Sequence, residues 1–368
     1  MTSNELKERL TDTVALLSIP GVGPGRYHKL VSRFGSPAEA LAASKSELET
    51  VPGISLAVAQ AIKSAYDGVT ARQTASRIIQ LGWSVLFSGE ADYPVLLSRI
   101  SQPPPVLFRL GDPPSPDDKM IAIIGTRRAT EKGLMFTRRL ASELAQQGVV
   151  VISGMAEGID TAAHRGALDG GGSTVAVWGT SLDIVYPQSN RSLAADIREN
   201  GAIYSEYLPD TAPDKSTFPQ RNRIISGMSE GVVVVEAGVR SGALITAAYA
   251  VEQGRELFAV PGAPDAANSA GTNSLIKKGA SLFTKVDDIF EQLPRLKGEV
   301  AARRFKASPD LTEMERKVVD LLSEGPLQID QLSRRTDLPV SELLGFVLAL
   351  EMKGVVQELF GKRFVLAE

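Results

Sequence analysis

From Lys119 onward the chain repeats one unit: a short apolar run, a small residue, then a stretch with helical spacing. The runs lie at 120–124, 149–152, 173–178, 202–205, 231–235 and 256–260. Short apolar runs alternating with amphipathic helices are strands covered on both faces, so the pattern predicts an α/β domain over 119–295. Its sheet is doubly wound and mostly parallel. Ligands on such sheets bind beyond the carboxyl ends of the strands. Here those ends are Gly125, Ser153-Gly154, Gly179, Ser205, Glu236 and Pro261-Gly262, mostly small residues that leave room for a backbone or a phosphate.

The segment before the fifth run holds Lys215, Phe218, Arg221, Asn222 and Arg223 within nine residues. Lys and Arg neutralise phosphate, and Phe218 offers a face on which a base can stack. The segment reads as a loop. After the strand, Arg240-Ser241-Gly242 turns into a helix starting near Ser241, whose first amides are free for a phosphate oxygen. Arg127, just past the first strand, sits where ligands of such sheets bind. Arg221 and Arg223 flank Asn222; if one points to a ligand, the other pairs internally with Glu236 or Asp160. His164 follows Asp160 by one helical turn and reads as a hydrogen-bonded core histidine ordering the glycine-rich loop, not as a catalytic base. Asp183 and Tyr186-Pro187 read as fold-determining.

Composition narrows the chemistry. The 368 residues include no cysteine and two histidines, His28 and His164. Thiolate nucleophiles, disulfides and Cys-ligated zinc are excluded, and a His-rich metal site is not expected. No metal or cofactor is expected. The net charge of −3 requires any polyanion to be held by local basic patches. Residues 1–12 are polar and mixed in charge, unlike a secretory signal, and no apolar run approaches a membrane span. A cytoplasmic protein without membrane contact is expected. No Walker-type loop occurs, and Gly125-Thr126-Arg127 is not a dinucleotide fingerprint, so neither ATP hydrolysis nor NAD binding is expected.

Flanking segments complete the plan. Residues 1–67 read as short helices with two echoing phrases, Ile19-Pro20-Gly21-Val22-Gly23-Pro24 and Val51-Pro52-Gly53-Ile54. They resemble a tandem helix–hairpin–helix (SAM-like) unit, whose glycine turn aims amides at a DNA phosphate. Gly21, Gly23, Arg26 and Lys29 are its candidate duplex or secondary contacts; the second copy has Ser55 where its second glycine would fall. Residues 68–118 read as a connector with a short apolar segment at 83–87 and a proline spacer at 113–116. Residues 296–309, with Arg303, Arg304 and Lys306, read as a linker. From 310 to 368, a helix capped by Thr312, two further helices at 329–335 and 340–353, and a hairpin around Gly361-Lys362 read as a winged helix. Glu342 and Glu351 on the second helix of the pair, 340–353, against Lys353, favour a protein-contact or structural role over base reading.

Several motifs together resemble the DNA-processing protein A family (DprA/Smf). They are Gly125-x-Arg127, Ser153-Gly154-x-Ala156-x-Gly158-Ile159-Asp160-x-x-Ala163-His164 and Phe218-Pro219-x-Arg221-Asn222-Arg223-Ile224-Ile225. To these add Arg240-Ser241-Gly242-Ala243-Leu244-Ile245-Thr246, Pro261-Gly262 and Gly271-Thr272-Asn273. The resemblance spans about 93–291. It implies a Rossmann-like domain that binds single-stranded DNA without sequence preference, protects incoming DNA and helps load RecA in natural transformation. It implies no catalysis, and dimerisation through the Rossmann-like domain. The family's single-strand pocket falls on Arg127, Lys215 and Phe218. Gly125, Ser153, Gly154, Arg221, Asn222, Arg223, Ser241 and Gly242 are expected as further nucleic-acid contacts. The alternative is an enzyme acting on a nucleotide or sugar phosphate. Fold relatives of that kind carry a Pro-Gly-Gly-x-Gly-Thr motif, where this chain has Glu236-Ala237-Gly238-Val239-Arg240-Ser241-Gly242.

Overall fold

The structure, a computed structural model, describes residues 2–64, 67–115, 119–296, 312–322, 327–336, 338–352, 355–359 and 363–366. The chain divides into two compact units, Met1–Ala301 and Ala302–Glu368.

The first unit opens with helices α1 (Ser3–Leu17), α2 (Pro24–Phe34), α3 (Pro37–Ala42), α4 (Lys45–Glu49), α5 (Leu56–Ser64) and α6 (Gly68–Gln80). Their starts follow from local chemistry. Thr2 with Glu5 and Ser44 with Glu47 form capping boxes, and Pro24 and Pro37 sit in first turns, where a missing N–H breaks no bond. Gly21 and Gly53, with φ of 87° and 88°, make the turns ahead of α2 and α5. Leu30, Leu48 and Ile62 close a small core between these helices. Helix α1 is shared: Leu16 joins that core, while Leu10 and Val14 pack with α6 residues against Trp83, just before the first strand, and Phe108 of the sheet.

Nine strands form that sheet: β1 (Ser84–Phe87), β2 (Val106–Gly111), β3 (Met120–Ile124), β4 (Val150–Ser153), β5 (Thr174–Val177), β6 (Gly201–Ser205), β7 (Gly231–Val234), β8 (Glu256–Ala259) and β9 (Ser281–Leu282). Their order is β1-β2-β6-β5-β4-β3-β7-β8-β9. Strand β2 pairs antiparallel with β1 and β6, and every other neighbouring pair is parallel. The six apolar runs become β3 to β8. Two strands lie within the segment read as a connector, and β9 is an edge pairing too short to leave a pattern.

Helices cover both faces: α7 (Val95–Ser98), α8 (Glu131–Gln146), α9 (Ile159–Asp169), α10 (Arg191–Asn200), α11 (Thr217–Met228), α12 (Ala243–Glu252), α13 (Ala270–Lys277) and α14 (Asp287–Gln292). One face buries Ala122, Ile152 and Val232 against α7, α11 and α12. The other buries Ile121, Val151 and Val233 against α8, α9 and α14, and Ala176 and Ile203 against α10, α1 and α6. Alternate residues of one strand thus face opposite helical layers, as a doubly covered sheet requires. The stretch 217–223, read as part of a loop, is instead the start of α11. Pro219 falls in its first turn, and Arg221 through Met228 are buried except Asn222, so no amphipathic stripe marked it.

From β3 the chain winds one way to β6, then restarts on the other side of β3 at β7. The order therefore reverses at β3, which places the ligand crevice of such a sheet beyond Ile124. Among the described residues, no helix is long and apolar enough to cross a membrane.

The second unit contains α15 (Glu313–Leu322), β10 (Leu327–Gln328), α16 (Ile329–Thr336), α17 (Val340–Met352), β11 (Val356–Leu359) and β12 (Arg363–Leu366). The strands pair antiparallel in the order β10-β12-β11, around a core of Val318, Leu332, Leu343, Val347 and Phe364. This is a winged helix. Thr312 caps α15: its hydroxyl accepts from the Glu315 amide at 3.3 Å, and the Glu315 carboxylate accepts from the Thr312 amide at 2.7 Å. Lys353, the Gly361-Lys362 turn and the linker cations Arg303, Arg304 and Lys306 lie outside the described residues.

Candidate nucleic-acid interface

A cleft of about 640 Å³ opens at the carboxyl end of β3, between the segment after that strand, the start of α11 and the start of α12. Its floor depends on glycines. A Cβ on Gly125 would stand 2.5 Å from the Ile159 side chain, and one on Gly158 would stand 2.4 Å from the Thr126 carbonyl. The loops after β3 and β4 are thereby pressed together, with the Ile159 amide donating to Thr126 at 3.3 Å.

Arg127 and Lys215 are exposed on the cleft wall, and neither makes an ion pair among the described residues. Asp214 fixes the turn that carries Lys215: its carboxylate accepts from the Ser216 hydroxyl and, at 2.7 Å, from the Ser216 amide, and these bonds hold it below the usual carboxylate range. Phe218 projects from the first turn of α11 onto Gly179, where a Cβ would stand 2.6 Å from its ring. The Arg127 guanidinium lies over the same ring, 5.4 Å from its centroid. Opposite, Gly242 is exposed at the start of α12. Its amide has no intramolecular acceptor among the described residues, whereas the Ala243 amide donates to Ser241 Oγ at 3.3 Å. One free amide at the positive end of a helix suits an anionic oxygen. Asn222 bridges the two walls, donating to the Gly242 carbonyl at 3.5 Å.

The structure separates the two arginines of α11 from the exposed cations. Arg221 is buried and donates from Nη1 to the carbonyls of Gly154, at 2.8 Å, and Val177, tying the carboxyl ends of β4 and β5. Burial pulls its pKa down to about 10, against the opposing charge of Asp160. Arg223 is also buried, in a bidentate pair with Glu206 at 2.6 and 2.7 Å. Its partner is thus neither of the acids expected from the sequence, and its donors are turned away from the cleft. Ser153 is wholly buried and donates its hydroxyl to the Ile123 carbonyl at 2.6 Å, and Gly154 is buried beneath Arg221. Of the expected contacts, Ser153 and Arg223 lie in the scaffold outside the cleft, Gly154 lines a smaller recess beside it, and Arg221 lines both while its Nη1 is spent on the strand-end carbonyls. Gly125, Arg127, Lys215, Phe218, Asn222, Ser241 and Gly242 line the cleft.

The glycine-rich loop after β4 is ordered by Asp160, which accepts from the amides of Gly154 at 3.2 Å and Ala156 at 3.3 Å. Asn190 reinforces it through the Met155 carbonyl at 2.9 Å. His164 does not order this loop. It is fully buried, with Nδ1 2.8 Å from Thr174 Oγ1, and so joins α9 to β5. The carboxylate of Glu236 accepts from the Thr130 hydroxyl, the Thr130 amide at 3.0 Å and Asn268 at 3.2 Å, which locks the loop ahead of α8. Sequence reasoning missed Tyr186 as a cleft residue. Its ring centroid lies 5.4 Å from that of Phe218, and its position on the segment after β5 was the available signal.

In the helical segment, Arg26 donates to the Gly21 carbonyl at 2.6 Å and the Gly53 carbonyl at 2.9 Å, latching the two turns together. Lys29 approaches Gly53, and Gly23 stands open at the start of α2. Among the described residues there is no group of three or more His, Asp or Glu side chains able to hold a metal ion.

Fold and site define a doubly wound α/β protein with a cationic, aromatic cleft at its topological switch point, preceded in sequence by a small helical segment and followed by a winged helix. The family described as DNA recombination-mediator protein A matches residues 84–294. The DprA winged helix domain matches 302–362, and a SAM-like helix-hairpin-helix tandem matches 14–66. The chain is 32% identical to Protein Smf of Synechocystis sp. over 386 residues, covering 95% of this chain and 97% of that one. Among solved structures, DNA processing protein A from Streptococcus pneumoniae superposes with a TM-score of 0.67 at 33% identity, covering 77% of this chain and 97% of that one. That from Helicobacter pylori, described for its single-stranded DNA binding mode, gives 0.52 at 33% identity, covering 58% and 96%. This chain belongs to the DNA recombination-mediator protein A (DprA/Smf) family.

Proposed function

We propose that the chain binds single-stranded DNA without sequence preference in the cleft beyond β3, and acts as a recombination mediator rather than an enzyme. The observation that carries this reading is the pairing of two cations without an ion pair among the described residues, Arg127 and Lys215, with the Phe218 ring at the switch point. Cations there neutralise successive phosphates, and an aromatic face accepts any base. The Gly242 amide adds an oxygen site, and Asn222, Ser241 and Gly125 shape the wall. The Helicobacter pylori relative's single-strand binding supports the same use of the fold. The engagement of Glu236 by Thr130 and Asn268 supports a loop-fixing role for that carboxylate rather than a hydrolytic one.

The mediator reading includes cytoplasmic protection of incoming DNA, loading of RecA, and a homodimer formed through the sheet domain, as the family implies. Gly21, Gly23 and Lys29 are secondary contacts for duplex phosphates, while Arg26 holds the turns that present them. In the winged helix, α17 exposes Leu344 and Leu348, which supports a protein-facing role for that helix.

Oligothymidine should bind more tightly than blunt duplex of equal length, because stacking needs an unpaired base. Arg127→Ala and Lys215→Ala should each weaken binding and reduce the salt slope by about 0.7, the value for one single-strand phosphate. Phe218→Ala should weaken binding with the slope unchanged. Equal affinity for duplex, or unaltered affinity and slope in both cation variants, would overturn the reading.

A further inference from the structure

Tyr186 holds the most open aromatic face in the cleft, with 39% of its surface exposed. Three other tyrosine hydroxyls are engaged: Tyr27 with Thr13, Tyr93 with the Pro104 carbonyl and Tyr207 with the Thr217 carbonyl. That of Tyr186 makes no hydrogen bond among the described residues. Its ring touches Phe218 at 5.4 Å between centroids, with 35° between the planes. Phe218 is the more enclosed of the two, backed by Gly179 and overlaid by Arg127. A base inserted between the rings would need them about 7 Å apart, twice the 3.4 Å rise of stacked bases. The observed spacing is shorter, so the rings offer outward faces side by side.

The surroundings give this pair a direction. Tyr186, Phe218 and Arg127 stand where the main cleft meets a smaller recess lined by Glu157 and Pro187, while Lys215 and Gly242 line only the main cleft. Glu157 is held there by Ser189 at 2.9 Å. A fixed carboxylate repels phosphate, so a backbone keeps to the Lys215 and Gly242 side and its bases turn toward the rings.

We propose that Tyr186 is a second base-stacking platform, taking the nucleobase next along the strand from the one at Phe218. The proposal rests on the single-strand reading of the cleft. It gives the site a run of at least two stacked bases, with the phosphates set apart from Glu157.

The test compares the affinity of the full chain for oligothymidine and for an abasic deoxyribose-phosphate chain of equal length. Their ratio reads stacking apart from phosphate contact. Tyr186→Leu keeps apolar bulk and removes the aromatic face. It should weaken oligothymidine binding about 5- to 150-fold, as expected for loss of one stacked base. Abasic affinity and salt slope should stay at wild type, and Tyr186→Phe should behave as wild type. A wild-type ratio in Tyr186→Leu, or equal losses for both ligands, overturns the proposal while leaving the cleft as the binding site. A wild-type protein that prefers neither oligothymidine over duplex nor thymidine over abasic chain overturns the single-strand reading itself, and this proposal with it.

Discussion

Arg221→Met is expected to destabilise the first unit by about 3–5 kcal/mol, the cost of breaking a buried charged network from one side. The guanidinium spans the carbonyls of Gly154 and Val177, and its charge opposes the raising of the Asp160 pKa by burial. Methionine fills much of the same volume, so the loss is electrostatic rather than a cavity. It leaves Asp160 without a counter-charge and two strand-end carbonyls without donors. Urea denaturation at neutral pH measures the effect. A loss below about 1 kcal/mol, the range of an exposed ion pair, would show that Arg221 is not a keystone of the site.

His164 should make the protein acid-sensitive. Thr174 Oγ1 donates its proton to the Val151 carbonyl at 2.7 Å, so His164 Nδ1 must be the donor to Thr174. Its Nε2 is then a bare, buried acceptor without a partner among the described residues. Burial, with the nearby Arg221 charge, pulls the imidazole pKa from 6.5 to about 3. The folded pKa lies below the unfolded one, so below about pH 6.5 the unfolded chain takes a proton that the folded chain refuses. Stability is therefore lost as pH falls, by about 1.4 kcal/mol per unit until the folded pKa is reached. The comparison with His164→Gln isolates this, because both proteins share every carboxylate, Asp160 included. Between about pH 6.5 and 5, the wild type should lose about 2 kcal/mol relative to the variant. Parallel pH profiles would show that the histidine is hydrated or charged in the fold.

Much of the architecture was legible in the sequence because parallel strands are short, apolar and punctuated. Strand β3 ends at Ile124 as the run 120–124 predicts, and the glycine and cation beyond it fall on the switch point. Ser241 and Gly242 stand out because they follow such a strand end, whereas Lys215 and Phe218 were singled out mainly by the family resemblance. Helix α11 was not legible, since buried arginines and a first-turn proline erase the amphipathic signal. The roles of Arg221 and Arg223 were not legible either. A guanidinium reads alike whether it meets a phosphate or a carbonyl, and only the burial of the helix decides. Ser153 looked like a phosphate ligand by type, yet its hydroxyl points into the sheet. Tyr186 was hidden for another reason: its contact with Phe218 joins segments 32 residues apart, by the difference of their numbers.

Where single-stranded DNA sits is the central claim, and photocrosslinking reads it directly. The full chain is irradiated with oligothymidine carrying iodouracil, digested with trypsin and sequenced by mass spectrometry. The account predicts adducts on the peptide 216–221, which carries Phe218. Adducts confined to the helical segment at 14–66, with none on 216–221, would contradict it.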